Sequence, residues 1–184
     1  NTSVALYRTD KDNNNQRVNA KPHAYWEPLN QSSRGLDAEI SGSLTDRWQV
    51  YAGYTFNRST NRSSVTGNVE SRRKGYNFSS HTPKHMFRLY TSYVLPMDDG
   101  KWTVGLGLQS SSKTANSYGS IKQGGYTIWN TNVQYRPSKN LQLGLAVNNL
   151  TDKRYYENQY NRAANSDNFY GEPRNAVFSL KWKM

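Results

Sequence analysis

The chain has 184 residues, no cysteine, a net charge of +11 and a mean hydropathy of −0.97. Disulfides, thiolate metal sites and cysteine nucleophiles are therefore excluded, and no apolar run approaches the roughly 18 residues that a membrane-spanning helix needs. A strand-built membrane protein is not excluded, because lipid-facing and water-facing residues alternate along each strand and average to a hydrophilic score.

Period-2 alternation predicts strands through most of the chain. Thr2–Arg8 is a strand whose parity is ambiguous. From Arg34 to Leu44 the set Leu36, Ala38, Ile40 and Leu44 opposes Gly35, Asp37, Glu39 and Ser41. From Trp48 to Phe56, Trp48, Val50, Ala52, Tyr54 and Phe56 oppose Gln49, Tyr51, Gly53 and Thr55. The same alternation recurs over Phe87–Leu95, Trp102–Leu108, Thr127–Tyr135, Leu141–Val147 and Ala176–Met184. About eight strands result, with no helix. Short turns at Thr45-Asp46-Arg47, Pro96–Lys101 and Pro137–Asn140 alternate with long polar connections over roughly Thr9–Ser33, Asn57–Lys84, Ser110–Gly124 and Thr151–Arg174. Structureless loops of that length are uncommon in compact soluble domains, whereas short turns at one end and long loops at the other belong to outer-membrane barrels. The prolines fall in turns, just before strands, or, for Pro22 and Pro28, in the first long loop.

Pointing the polar set outward would put Arg88, Arg136, Lys181 and Lys183 into lipid, at about 2–4 kcal/mol each near the midplane. The apolar set therefore faces out. It carries Trp48, Tyr93, Trp102, Tyr135 and Trp182 as an aromatic girdle at one interface, with Tyr54, Phe56, Phe87 and Trp129 at the other. Trp48 to Phe56 rises about 20 Å at ~3.3 Å per residue and ~40° tilt, close to the ~25 Å apolar band. A soluble β-sandwich explains the alternation but not the loop asymmetry or the tryptophans.

Asn148-Asn149-Leu150-Thr151-Asp152-Lys153-Arg154-Tyr155-Tyr156 resembles the signature of TonB-dependent outer-membrane receptors, in which an Asn-rich strand end runs into Asp-Lys-x-Tyr. Ser33-Arg34-Gly35-Leu36-Asp37-Ala38-Glu39 resembles that family's S-R-G-x-E-x-E strand, followed by a short turn and the aromatic pair Trp48 and Tyr54. Thr82-Pro83-Lys84-His85 and Tyr170-Gly171-Glu172-Pro173-Arg174 resemble later strand starts, the last in the ferric-hydroxamate and pyoverdine receptor group. The resemblance runs in family order over nearly the whole chain. Two departures stand out: Asp37 replaces the more usual Glu, and the chain ends Trp182-Lys183-Met184 where an aromatic terminus is usual.

The resemblance implies the last third of a 22-stranded barrel, with the plug domain and TonB box outside residues 1–184. It implies a Gram-negative outer-membrane transporter for ferric siderophores, energised by TonB through the missing N-terminal part. It implies no enzyme activity and no cofactor, iron arriving only inside its chelate. The expected partners are the siderophore, TonB, the plug, and outer-membrane lipid and lipopolysaccharide, not nucleic acid. The chain starts at Asn1 without initiator Met or signal sequence, so it is expected to be a mature chain or a fragment.

Within that reading Tyr76, Phe78, Tyr118, Tyr155, Tyr156, Tyr160, Tyr170, Arg72 and Arg73 are the loop candidates for ligand binding, since aromatics with cations suit a bulky chelate with anionic edges. Loops packing on one another is the competing explanation for each. Asp37, Glu39, Arg88 and Arg136 point into the lumen and are candidates for plug contact, with ion pairs among themselves as the plainer alternative. His81 and His85 are four apart but flank Pro83, so no metal site is expected. Two other functions remain: a self-contained eight-stranded barrel with a structural or adhesion role, and a soluble basic β-protein binding nucleic acid.

Overall fold

The computed structural model describes residues 1–19, 22–67, 70–116, 119–159 and 168–183. Eight antiparallel strands form one sheet: β1 (Thr2–Val18), β2 (Tyr25–Thr45), β3 (Trp48–Asn61), β4 (His85–Val94), β5 (Trp102–Ser111), β8 (Tyr126–Tyr135), β9 (Leu141–Asn148) and β12 (Asn175–Trp182). Each pairs with its neighbour in sequence order, which gives an up-and-down wall. Two small hairpins lie inside the outer connections: β6 (Thr114–Ala115) with β7 (Lys122–Gln123), and β10 (Tyr156–Gln159) with β11 (Asn168–Tyr170).

The register lines up the alternating sets across the whole wall. Ile40 pairs with Ala52, and Ala52 with Leu89; Leu89 pairs with Leu108, and Leu108 with Trp129. Further along, Val133 pairs with Leu145 and Leu145 with Phe178. One face is therefore continuously apolar. The other carries Glu39, Gly53, Arg88 and Gln109 in one row, each directly opposite the next. The first strand takes its parity from β2, with Val4 opposite Ala38 and Leu6 opposite Leu36.

The apolar face is bare. Leu6 is 81% exposed, Phe178 67% and Leu180 62%, whereas among the described residues the buried hydrophobic ones are only Val18, Leu29, Val65 and Ile128. A sandwich would lay a second sheet over these residues; among the described residues no second layer exists. Bare aliphatic area on this scale, at about 25 cal/mol per Å², needs an apolar medium. The sheet is also open. Neither β1 nor β12 has a strand on its outer edge, so the self-contained eight-stranded barrel, which requires β1 to pair with β12, does not form among the described residues.

The first connection differs from expectation. The segment read as a long loop over Thr9–Ser33 is mostly strand, with only residues 19–24 between β1 and β2. Above the apolar band neither face meets lipid, so the strict alternation disappears while the ladder continues; a bulge between Lys11 and Asn14, with Asn13 at φ 56°, bends it. Pro28 consequently lies inside β2, opposite Asn15. It is tolerated because β3 reaches β2 only from Gln31 onward, which leaves the other edge at Pro28 open. The connections over 112–125 and 149–174 are likewise not structureless, since each holds one small hairpin.

Gly35 in the S-R-G-x segment has a packing reason. A Cβ there would overlap the Phe56 carbonyl oxygen and the Tyr7 ring that lies across the glycine, whose hydroxyl accepts from Asn57 Nδ2 at 2.8 Å. Gly42, on the same strand, has nothing within 4 Å of such an atom. Gly35→Ala is expected to destabilise the wall by about 1–3 kcal/mol through overpacking. Gly42→Ala is expected to be neutral, with the two compared by the temperature at which the folded electrophoretic form is lost.

Candidate functional site

The short-turn end places the expected aromatic girdle residues on one face. Trp48 pairs with Tyr93 and meets it edge-on at 6.4 Å between centroids; Trp102 pairs with Tyr135 and stacks on it at 4.3 Å. Trp182 sits opposite Leu141 on the same face. The Trp48 indole N–H donates to Thr91 Oγ1 at 2.7 Å, so this polar atom is satisfied inside the wall. The Asp98 carboxyl in the neighbouring turn is held below the usual carboxylate range by its hydrogen bond with Lys101, 3.0 Å away.

On the polar face, Asp37 and Glu39 lie on β2 and Arg88 on β4, with Gly53 directly between Glu39 and Arg88. Among the described residues none of the three makes an ion pair, and neither carboxylate pairs with Arg136, which lies beyond β8 at the short-turn end. Tyr51 donates to Glu39 Oε1 at 3.3 Å, and Asn132 Nδ2 donates to the Tyr90 hydroxyl at 3.2 Å. The wall thus presents unpaired charge and tyrosine rings on the face away from the apolar one.

The long-connection end is stitched by buried amides. Asn61 is 2% exposed; its Nδ2 donates to the Ser71 and Arg73 carbonyls, and its Oδ1 accepts from Gln31. Val65 packs with Val18 and Leu29, which anchors the 62–84 connection to the β1–β2 hairpin. Glu27 accepts from the Thr66 backbone N–H at 2.6 Å, and this bond holds its carboxyl below the ordinary range. Arg72 donates to the Arg17 carbonyl at 2.7 Å, so it ties this loop to β1. Arg73 is exposed, while Tyr76 and Phe78 are half-buried in the same loop.

In the 112–125 hairpin, Asn116 is fully buried. It accepts from Ile121 N–H through Oδ1, and its carbonyl accepts from Ser80 Oγ at 3.2 Å in the neighbouring loop. Thr114 Oγ1 donates to Gln159 at 2.7 Å, and Gln123 Nε2 donates to the Tyr156 carbonyl at 3.1 Å. Three connections therefore form one rim.

That rim holds the tightest aromatic constellation. Tyr156 stacks on Tyr170 at 4.5 Å, with hydroxyls 3.0 Å apart, and the Arg154 guanidinium lies 4.3 Å above the Tyr170 ring. Tyr155 stacks on Tyr126 at 4.7 Å. Burial pushes the Tyr155 hydroxyl above its ordinary pKa, and the Tyr170 hydrogen bond does the same for Tyr156, so these two phenols stay neutral at pH 7. Phe169 stands 63% exposed beside them. The structure thus brings Tyr155, Tyr156 and Tyr170 together and keeps Arg72 and Arg73 in a different loop. Tyr118 and Tyr160 lie outside the described residues. Arg154 and Tyr126 are absent from the sequence-based candidates. The signal for Arg154 is its place between Lys153 and Tyr155 in the signature; Tyr126 carries none, since it stands at a strand end outside the alternation.

The signature segment is organised by Asn149, 2% exposed at φ 49°. Its Nδ2 donates to the Lys153 and Glu172 carbonyls, both at 2.9 Å, and its Oδ1 accepts from Lys153 N–H at 2.8 Å. Asp152 then accepts from Arg174 N–H at 3.0 Å. One amide therefore joins the exit of β9 to the entry of β12.

An open up-and-down wall with a bare apolar face, short turns at one end and a stitched rim at the other defines a segment of a membrane β-barrel. The chain belongs to the TonB dependent receptor-like, beta-barrel family, whose model matches residues 1–150. Among curated relatives, the ferric-pyoverdine M114 receptor PbuA of Pseudomonas sp. (strain M114) is 33% identical over 153 residues, covering 81% of this chain and 18% of that protein. The probable TonB-dependent siderophore receptor PiuA of Acinetobacter baumannii is 32% identical over 194 residues, covering 100% and 24%. Among solved structures, the ferripyoverdine receptor of the outer membrane of Pseudomonas aeruginosa bound to ferripyoverdine matches with a TM-score of 0.78 at 28% identity, covering 98% of this chain and 24% of that one. The chain spans about a fifth to a quarter of the length of these relatives.

Proposed function

We propose that residues 1–184 form part of the barrel wall of an outer-membrane receptor that imports ferric siderophores, a transporter and not an enzyme. The rim captures the chelate, the polar face passes it along a plug domain carried elsewhere in the polypeptide, and TonB supplies the work by rearranging that plug. Iron enters only as cargo inside the chelate. The observation that carries this reading is the open wall with one bare apolar face, in a chain of the receptor family. The relatives named as ferric-pyoverdine and siderophore receptors support the cargo class.

In this reading Tyr156, Tyr170 and Arg154 offer a planar, cation-topped shelf to an aromatic chelate with anionic edges. Growth of an iron-starved receptor-null strain carrying the full-length gene, fed a panel of siderophores, is expected to be rescued by at least one of them and by no free iron salt at the same concentration. No rescue by any chelate sinks the proposal. Arg154→Ala is expected to weaken binding of the rescuing chelate by about tenfold, the loss of a partly desolvated cation–π contact. Equilibrium binding to purified receptor reads this; an unchanged affinity places the chelate elsewhere.

A further inference from the structure

Three arginines stand side by side on the apolar face. Arg8 on β1 is directly opposite Arg34 on β2, and Arg34 is directly opposite Arg58 on β3. They share the parity of Leu6, Leu36 and Phe56, the row immediately below them, so they belong to the lipid-facing set. Arg58 stands ten residues beyond Trp48, a rise of about 25 Å at ~3.3 Å per residue and ~40° tilt. The row therefore lies at the upper edge of the apolar band, at the end with the long connections.

Like charges directly opposite one another on a sheet repel. The wall neutralises only part of this charge. Arg8 Nε lies 3.0 Å from Asp10 Oδ2, and Asp10 is shared with Arg62 at 3.4 Å. Arg34 and Arg58 are exposed, and among the described residues neither has a carboxylate within ion-pair distance. The strands are pinned at this height from the polar face. The Ser33 and Ser59 hydroxyls are 2.8 Å apart, Ser59 Oγ donates to Asn57 Oδ1 at 2.9 Å, and Asn57 Nδ2 donates to the Tyr7 hydroxyl at 2.8 Å. These bonds resist the slip of register that would separate the arginines.

Below the row the wall is concave. Leu6, Leu36 and Phe56 line a groove of about 450 Å³ whose upper end carries Arg8 and Arg34. A partner that fills both features has an anionic head and an apolar tail. A soluble acidic protein or a free oxyanion offers only the first, and a neutral acyl chain only the second. Arg34 and Arg58 sit on neighbouring strands about 4.8 Å apart, close enough to hold one phosphate between two guanidinium forks. Two unpaired cations match a phosphomonoester, which carries nearly two negative charges at pH 7, better than the single charge of a phosphodiester.

We propose that Arg34 and Arg58, flanked by Arg8, hold the phosphomonoester of an acylated glycolipid in the outer leaflet, with one acyl chain in the Leu6–Leu36–Phe56 groove. The site fixes the height of the longest strands in the membrane. It does not depend on what cargo the receptor carries.

Equilibrium binding of bisphosphorylated lipid A to delipidated full-length receptor in detergent tests it. Removing the phosphates from the lipid, or substituting Arg34→Gln with Arg58→Gln, is expected to weaken binding by at least about tenfold, the loss of charge-assisted hydrogen bonds. Equal affinity for the lipid with and without phosphate overturns the proposal, as does an unchanged affinity of the double variant. Phosphatidylglycerol, a diester, is expected to bind more weakly than lipid A, and parity between them overturns the assignment to a monoester. Inorganic phosphate at the lipid's concentration is expected to displace nothing; displacement overturns the lipid in favour of a free oxyanion. Should the double variant lose its heat-resistant form in SDS, the unaltered receptor supplies the answer. An arginine-selective dicarbonyl reagent is expected to modify Arg34 and Arg58 slowly with lipid A present and quickly with the dephosphorylated lipid, while Arg47, in the turn after β2, reacts equally in both. Equal modification of Arg34 and Arg58 under the two conditions overturns the proposal.

Discussion

Asn149→Ala is expected to destabilise the wall by about 3–5 kcal/mol, the upper range for a single substitution. The alanine would leave the buried site without its bonds to two carbonyls and one backbone N–H, and would keep a left-handed φ of 49° that alanine disfavours. Two further variants divide the loss. Asn149→Gly relieves the backbone but makes none of the three bonds, and Asn149→Asp keeps the acceptor for Lys153 while turning a buried carboxylate oxygen toward both carbonyls. Gly is expected to be milder than Ala, and Asp the worst of the three. Loss of the heat-resistant folded form of the full-length receptor in SDS, as a function of temperature, reads all three. An Asn149→Ala protein that melts with the unaltered one would show that the signature is not held together by this amide.

Leu106→Arg is expected to cost about 2–4 kcal/mol in a lipid bilayer, because a charge near the midplane must be desolvated or drawn toward an interface. Leu106 lies on the apolar face, 39% exposed and directly opposite Thr91 and Thr131. It stands four residues beyond Trp102, which puts it about 10 Å above the girdle in a band of ~25 Å. Gln109→Glu, on the polar face opposite the unpaired Arg88, is the control and is expected to change folding into vesicles little. Denaturant titration of receptor folded into phospholipid vesicles measures both. If Gln109→Glu is the costly change and Leu106→Arg the neutral one, the two faces have been assigned backwards.

Much of this wall is legible in the sequence wherever a strand divides oil from water. Trp48 through Phe56 and Trp102 through Leu108 alternate because one side of each meets an apolar medium, and there the expected strands, parity and turns agree with the structure. The legibility ends where that division ends. Asp10 to Val18 and Tyr25 to Leu29 continue the β1–β2 ladder beyond the apolar band, where polar residues stand on both faces, so the segment reads as loop. Loop architecture is hidden for a related reason. Asn61, Asn116 and Asn149 are ordinary turn residues in a sequence, and only the fold shows their amides buried and hydrogen-bonded. Among the ligand candidates, the tyrosines of the signature come together while Arg72 ties one loop to a strand carbonyl, a division that rests on which loop folds over which.

The unequal strand lengths have a consequence for what meets the cell from outside. Strand β2 has 21 residues and β12 has 8. At ~3.3 Å per residue and ~40° tilt these rise about 50 Å and 18 Å, against a band of ~25 Å. The rim of this arc is therefore a slope, with its crest at the β1–β2 hairpin, where Trp26 stands 66% exposed. In an outer membrane such a crest projects through the sugar layer like a headland. A particle too large to enter the barrel, such as an antibody or a phage tail, would touch the crest long before it reached the tyrosine shelf. If the proposed import function holds, selection by such visitors would fall on Tyr25 and Trp26, and selection by the cargo on Arg154 and Tyr170. The two pressures would then act on residues at opposite ends of the same slope.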